Sequence, residues 1–153
     1  MYYLCDKYVK MKMVIRMDEL KVSYDAISEN NNLSAELKDC FKELVTIFNK
    51  TFSGVSLSNF NERIKGLEIK RGNKYITKEA CEYNPKENVL YLNEQLLKKA
   101  DAKHELMFAL LTIISADENF YGFGNDEKLT VFNVGVTEMI TNLLVGNDGE
   151  EDE

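Results

Sequence analysis

The chain of 153 residues has only three cysteines, one histidine and one proline, and the scarcity of cysteine excludes several classes of protein. Cys5, Cys40 and Cys81 are an odd number, lie far apart and form no Cys-x-x-Cys pair. They indicate neither a disulfide framework nor a thiolate metal cage, and a reducing cytoplasm is the expected location. No catalytic motif surrounds any of the three, so we predict that they are core residues.

Long hydrophobic runs are also missing from the sequence. The N-terminal residues MYYLCDKYVKMKM carry lysines between their apolar stretches, which is typical of neither a signal peptide nor a membrane span. We therefore expect no membrane association and a cytoplasmic protein.

Basic residues number 19 against 26 acidic ones, which gives the chain a net charge of -7. This charge repels phosphate backbones and attracts basic partners, so nucleic-acid binding is not expected. Part of the acidic excess lies in residues 147–153, NDGEEDE, which predict a disordered acidic tail. The preceding residues 1–146 have the length of one compact domain.

The spacing of apolar residues in the first two thirds of the chain predicts both helices and strands. Ser34 is suited to cap an amphipathic helix that follows the polar run SENNN. The segments LEIK and KYITKEA, separated by residues 71–73, predict a hairpin. A turn at Pro85 leads into Asn88–Asn93, which we predict to be an edge strand.

The last third of the chain predicts two long helices. The sequence is nearly continuously apolar over Leu106–Ile114, which indicates a helix surrounded by protein on most sides. The loop that begins at Asp117 lacks the oxygen ligands of a calcium site and the lysine of a phosphate loop. Apolar residues then mark a final helix that ends at Gly146: Val131, Phe132, Val136, Met139, Ile140, Leu143 and Leu144.

The only histidine stands at the start of the buried helix, in KHELMFALL. Glu105 follows His104 directly, and Phe108 lies four residues after the histidine, on the same face of a helix. The final helix contains NVGVTE, whose residues are Asn133, Val134, Gly135, Val136, Thr137 and Glu138.

These two segments resemble the metal-binding helices of zinc peptidases of the gluzincin branch, which belong to the zincins. In that family an H-E-x-x-H helix supplies two histidine ligands and a glutamate that polarises the zinc-bound water. A downstream N-E-G motif supplies the third ligand and is followed by another acidic residue. The resemblance covers roughly residues 75–146. It implies a zincin-like α+β fold, with a small mixed sheet and its edge strand packed against a buried central helix and a C-terminal helix.

The resemblance also implies that two of the three zinc ligands are replaced in this chain. Phe108 stands where the second histidine belongs, and Val134 stands where the ligand carboxylate belongs. With His104 they are vestigial ligand positions, and Glu105 is a vestigial catalytic residue. Because neither replacement offers a lone pair, we expect no bound metal and no other cofactor.

The rest of the downstream motif is retained at Asn133, Gly135 and Thr137. Glu138 corresponds to the acidic residue that orients the first histidine in the family, which predicts a hydrogen bond between His104 and Glu138. Two other interpretations stay open. In the first, Glu138 is a solvated residue on an exposed helix face. In the second, His104 and Glu105 form an ordinary helix start in an unrelated α+β domain.

The predicted function is that of a metallopeptidase-like domain without catalytic activity, which binds an unidentified protein or peptide, for example by strand addition. One alternative is a metal-dependent hydrolase with an atypical zinc site built from His104, Glu105 and Glu138. Another is a structural or assembly subunit. The sequence indicates no particular oligomeric state.

Overall fold

The computed structural model of the chain describes residues 19–72, 79–99, 101–117 and 130–146. Residues 19–29 are helical and are called α1. The further helices are α2 (Ala35–Thr51), α3 (Ser58–Lys65), α4 (Glu94–Lys99), α5 (Ala102–Ser115) and α6 (Thr130–Val145), and the strands are β1 (Glu68–Gly72), β2 (Cys81–Asn84) and β3 (Val89–Asn93). Helices packed on a small mixed sheet make the fold α+β, as predicted.

Helix α2 begins at the predicted cap. The Ser34 hydroxyl accepts a hydrogen bond from the Leu37 backbone N–H at 3.2 Å, which satisfies one of the free donors of the first helical turn. One face of the helix is buried, and its residues recur at intervals of three and four: Leu37, Phe41, Leu44, Val45 and Phe48. The predicted amphipathic helix is confirmed.

The three strands form one sheet in the order β1-β3-β2, in which β3 runs parallel to β1 and antiparallel to β2. The prediction that Asn88–Asn93 forms an edge strand was therefore wrong, because β3 lies between two neighbours. Its sequence VLYLN is apolar at consecutive positions, and Val89, Leu90 and Leu92 are all buried. A strand covered on both faces needs this composition, whereas an edge strand does not.

The hairpin of the sheet also differs from the prediction. β1 pairs with β3, and the hairpin is formed by β2 and β3 around a turn at residues 85–88. Asn88 closes this turn with φ of 55°, in the left-handed region that asparagine tolerates better than most residues. The turn predicted at Pro85 is thus confirmed, whereas most of the segment KYITKEA lies outside the described residues.

Helix α5 is the central helix of the core, as its apolar sequence predicted. The Asp101 side chain caps it by accepting hydrogen bonds from the backbone N–H groups of Lys103 and His104. The helix packs against α2, α3, α6 and β2. Its buried residues lie on all sides: Leu106, Met107, Ala109, Leu110, Leu111, Thr112 and Ile113. Because α5 is enclosed by protein, the direction of each of its side chains is fixed.

Helix α6 ends just before Gly146 as predicted, but its buried face is not the expected one. Met139 and Leu143, expected to be buried, are 69% and 70% exposed. Among the side chains of α6 that the structure describes, the buried ones are instead Asn133, Thr137 and Thr141, which recur every four residues. The hydroxyls of Thr137 and Thr141 each donate to a carbonyl of the preceding turn of α6 at 2.7 Å, so their burial leaves no hydroxyl proton unpaired.

Several predictions fall on parts of the chain that lie outside the described residues. They concern Cys5, the loop after Asp117 and the acidic tail 147–153. In the parts that are described, none of the helices has both the length and the apolar character needed to cross a membrane.

Candidate functional site

A cavity of about 450 Å³ opens between strand β2 and helices α5 and α6. We call it the cleft. Its lining residues are Glu79, Cys81, Glu82, Tyr83, His104, Glu105, Phe108, Ala109, Thr112, Val134 and Glu138. The cleft therefore combines one sheet edge with the two helices that carry the residues singled out in the sequence.

Five of the predicted site residues meet in this cleft. His104, Glu105 and Phe108 enter it from the first turns of α5, whereas Val134 and Glu138 enter it from α6, one helical turn apart. Residues separated by about thirty positions in the sequence thus line one cavity.

The other three predicted motif residues do not line the cleft. Asn133 and Thr137 are buried on a different face of α6, and Gly135 is exposed. A Cβ atom added at Gly135 would meet nothing within 4 Å, so packing does not require glycine there. Asn133 and Thr137 thus belong to the buried face of α6 and Gly135 to its exposed face, and none of the three lines the cavity.

The imidazole of His104 is held between α5 and α6. Its side chain is only 15% exposed. Nε2 lies 2.9 Å from Asn142 Oδ1 and 3.2 Å from Glu138 Oε1, while Nδ1 lies 3.9 Å from Glu105 Oε1. Because an amide oxygen and a carboxylate only accept hydrogen bonds, Nε2 carries the proton and donates it.

The structure thus brings His104 and Glu138 together, and it adds a partner that the sequence analysis missed. Asn142 accepts the hydrogen bond from Nε2, with the Glu138 carboxylate beside it. Val134, Glu138 and Asn142 follow each other at intervals of four and therefore form one stripe along α6. This spacing was visible in the sequence, but Asn142 belongs to no motif that would have drawn attention to it.

The residues present do not fit a zinc ion with three protein ligands. A catalytic zinc site needs about three nitrogen, oxygen or sulfur donors around one point. The cleft offers a phenyl ring at Phe108 and an isopropyl group at Val134, and the protonated Nε2 of His104 is engaged by Asn142. Over the described ranges, no three His, Cys, Asp or Glu side chains are placed to hold one metal ion.

The cleft is strongly acidic. Four glutamates line it, at positions 79, 82, 105 and 138, and its described lining contains neither lysine nor arginine. Lys103, the neighbour of His104 in the sequence, pairs with Glu43 at 2.7 Å on the other side of α5. The cavity therefore presents a negative potential to any ligand that enters it.

Burial raises the pKa of Glu105 above its ordinary value, and the negative charges of Glu138, Glu79 and Asp101 raise it further. The positive form of His104 acts in the opposite direction. A carboxyl group with a raised pKa in the folded state is held more easily in its neutral form. Ionisation of Glu105 therefore costs the folded state free energy as the pH rises.

We expect the Glu105→Gln variant to be more stable than the wild-type chain at neutral pH. Because the folded-state pKa of Glu105 is raised, its contribution to stability is complete at acid pH and is lost as the pH rises through that pKa. Glutamine has no charge to lose, so the advantage of the variant should shrink toward about pH 4. Urea unfolding at both pH values measures the difference.

The matched control for this experiment is Glu62→Gln, which removes one negative charge from an exposed site on α3. It corrects for the change in net charge of the chain. A Glu105→Gln variant that is less stable than the wild type at neutral pH would show that the carboxylate makes a stabilising contact, which contradicts the expectation.

Cys81 lines the cleft but is not suited to be a nucleophile. Its side chain is buried, and burial, together with the charge of Glu105, raises the pKa of its thiol to about 12. A thiol with this pKa is protonated at neutral pH, and the thiolate is the reactive form. The burial of Cys81 agrees with the core role predicted for it, and Cys40 is half-buried.

The wall that carries Tyr83 is anchored by Arg63 of α3, another residue that the sequence analysis missed. Arg63 Nη1 donates to the Tyr83 hydroxyl at 2.9 Å and to the Pro85 carbonyl at 3.0 Å, and Nη2 donates to the Asp117 carbonyl. The Tyr83 hydroxyl in turn donates to Asn88 Oδ1 at 2.7 Å. One guanidinium thus ties α3 to the β2–β3 turn and to the segment after α5.

Comparisons of the chain with protein-family models, curated proteins and solved structures gave no match. The resemblance to zincins therefore rests on the two motif segments of the sequence.

Proposed function

We propose that this chain is a zincin-like domain without zinc-dependent hydrolysis, which binds a basic peptide in extended form along β2. The observation that carries the proposal is the cleft itself. Its position beside a sheet edge is suited to recognition, while Phe108 and Val134 line it with groups that cannot bind a metal ion.

The backbone of β2 favours binding by strand addition. The Asn93 N–H donates to the Ala80 carbonyl at 2.9 Å, so this pair belongs to the hydrogen-bonded class of an antiparallel ladder. Hydrogen-bonded and non-hydrogen-bonded residue pairs alternate along such a ladder. Glu82 therefore belongs to a hydrogen-bonded pair, whereas Cys81 and Tyr83 belong to non-hydrogen-bonded pairs. The backbone groups of Cys81 and Tyr83 therefore point to the edge of the sheet that no described strand covers.

An extended peptide on this edge would meet both parts of a recognition site. Main-chain hydrogen bonds to β2 supply affinity, and a side chain directed into the cleft supplies specificity. The stem of a lysine or arginine fits the apolar surfaces of Phe108 and Val134, while its charged end meets Glu105 and Glu138. Charge complementarity thus selects basic over acidic peptides.

The experiment is titration of the full-length chain against labelled decapeptides that contain lysine or arginine, measured by fluorescence anisotropy. We expect saturable binding that weakens with salt, because rim charges contribute through long-range attraction. Matched peptides with glutamine in place of every basic residue should bind roughly tenfold more weakly. Equal binding of the two peptide sets would contradict a charge-selective cleft.

Two controls test the geometry of this site. The double variant Glu105→Gln and Glu138→Gln should lose the preference for basic peptides, whereas Glu62→Gln, outside the cleft, should retain it. N-methylation of alternate peptide amides should abolish binding in one register only, because a strand edge bonds every second residue of its partner. Peptide cleavage in the presence of added zinc would overturn the proposal and favour a hydrolase with an atypical ligand set.

A further inference from the structure

Helix α6 is unusual because the buried side chains among those that the structure describes in it are polar. Asn133, Thr137 and Thr141 form this stripe, and both threonine hydroxyls bond within α6 itself. Those hydroxyl bonds do not tie α6 to α5. The hydrogen bond from His104 to Asn142, by contrast, crosses from one helix to the other.

We propose that His104 and Asn142, with Glu138 beside them, form a latch that fixes α6 against α5 and so sets the width of the cleft. Its effect on peptide binding rests on the function proposed above, but the latch itself can be tested without a peptide.

The surroundings of His104 place this hydrogen bond at the edge of the contact between the two helices. The imidazole is 15% exposed, whereas its acceptors Asn142 and Glu138 are exposed side chains of α6. Apolar packing holds α6 only in part, because Ile140, Leu144 and Val145 are partly buried. The hydrogen bond from His104 to Asn142 therefore adds to the apolar packing that holds α6 against α5.

In the Asn142→Ala variant, the latch and helix propensity predict opposite changes in the stability of α6. Alanine has a higher helix propensity than asparagine, so loss of the side chain alone should stabilise α6. If the latch acts, the variant should instead show faster hydrogen exchange of the α6 amides, by about fivefold, because a net hydrogen bond is lost. Asn142 does not line the cleft, so the substitution leaves the binding surface intact.

The experiment is hydrogen exchange followed by mass spectrometry, with the amides of α2 as an internal reference for global stability. It is repeated in a His104→Phe background, in which the latch is already absent. There, Asn142→Ala should slow exchange of α6 or leave it unchanged. Faster exchange of equal size in both backgrounds, or no acceleration in the wild-type background, would overturn the latch.

Asn142→Asp is the rescue variant, because its carboxylate still accepts the hydrogen bond from Nε2. It should restore the slow exchange of α6. Asn142→Ala should weaken the binding of basic decapeptides several-fold, whereas Asn142→Asp should retain it. If Asn142→Ala speeds exchange of α6 but leaves peptide affinity unchanged, the latch does not set the width of the cleft. Failure of the wild-type chain to bind any peptide would refute the proposed function, while the exchange data would still decide the latch.

Discussion

Replacing Phe108 by histidine and Val134 by glutamate in the same chain should create a zinc site in the cleft. His104 and Phe108 are one turn apart on α5, and Val134 faces the same cleft from α6. The double variant would therefore supply two imidazoles and one carboxylate to one cavity, which is a ligand set that zinc accepts once His104 gives up its proton and its hydrogen bond to Asn142. Val134 is 41% exposed, so a glutamate there does not bury a charge.

Zinc should stabilise this double variant strongly. At a free zinc concentration one hundred times the dissociation constant, binding to the folded state alone adds about 2.7 kcal/mol to the free energy of unfolding. For a domain of this size that corresponds to an increase of roughly 5–10 °C in the unfolding temperature. Thermal unfolding with and without zinc measures the shift, and metal analysis after dialysis should give one ion per chain.

The two single variants and a triple variant that also carries His104→Ala are the controls. Each of them lacks one ligand of the restored set, so each should gain much less from zinc than the double variant. If zinc fails to stabilise the double variant, residues 108 and 134 do not converge with His104, and the assignment to a zincin-like fold must be given up.

Replacing Arg63 by methionine should destabilise the fold by about 3 kcal/mol. The guanidinium donates to acceptors in three different segments, at Tyr83, Pro85 and Asp117. Methionine keeps much of the aliphatic stem but leaves these acceptors without their donor, and hydrogen bonds from a charged donor are the stronger kind. Because Arg63 Nε is buried without a partner among the described residues, removal also relieves one unfavourable group, which limits the loss.

Urea unfolding of Arg63→Met, Arg63→Lys and Tyr83→Phe tests this expectation. Lysine keeps the charge but cannot reach three acceptors from one planar group, so it should recover only part of the stability. Tyr83→Phe removes one acceptor of the guanidinium and also the hydrogen bond that the hydroxyl donates to Asn88, so it should cost about 1–2 kcal/mol. A loss below about 1 kcal/mol for Arg63→Met would mean that water replaces the guanidinium at these acceptors.

The sequence predicted those elements whose signals are local. Ser34 with the apolar spacing after it defined α2, and the continuous apolar residues of α5 identified the central helix. The order of the strands in the sheet could not be predicted from local sequence, because β3 pairs with β1 although β2 lies between them in the chain. The consecutive apolar residues of β3 nevertheless indicated a strand that is buried on both faces, and the prediction of an edge strand did not take this into account.

The candidate site was predictable to the extent that helical spacing fixes direction. The interval of four residues placed His104 and Phe108 on one face of α5, and the same interval placed Val134 and Glu138 together on α6. Asn142 and Arg63 were not found, because neither belongs to a motif and their partners lie 38 and 20 residues away along the chain. The buried polar stripe of α6 was also not predicted, because apolar residues occur on all sides of this helix and its polar residues form no distinct pattern.

The threonine-lined face of α6 has a consequence for how the cleft responds to temperature. Hydration of apolar surface raises the heat capacity, while hydration of polar surface lowers it. If α6 separates from α5, its own newly wet surface includes the hydroxyl and amide groups of Asn133, Thr137 and Thr141, which offset part of the heat capacity that apolar surface adds. Opening of α6 should therefore give a less curved van't Hoff plot than opening of a helix of the same length whose buried stripe is apolar.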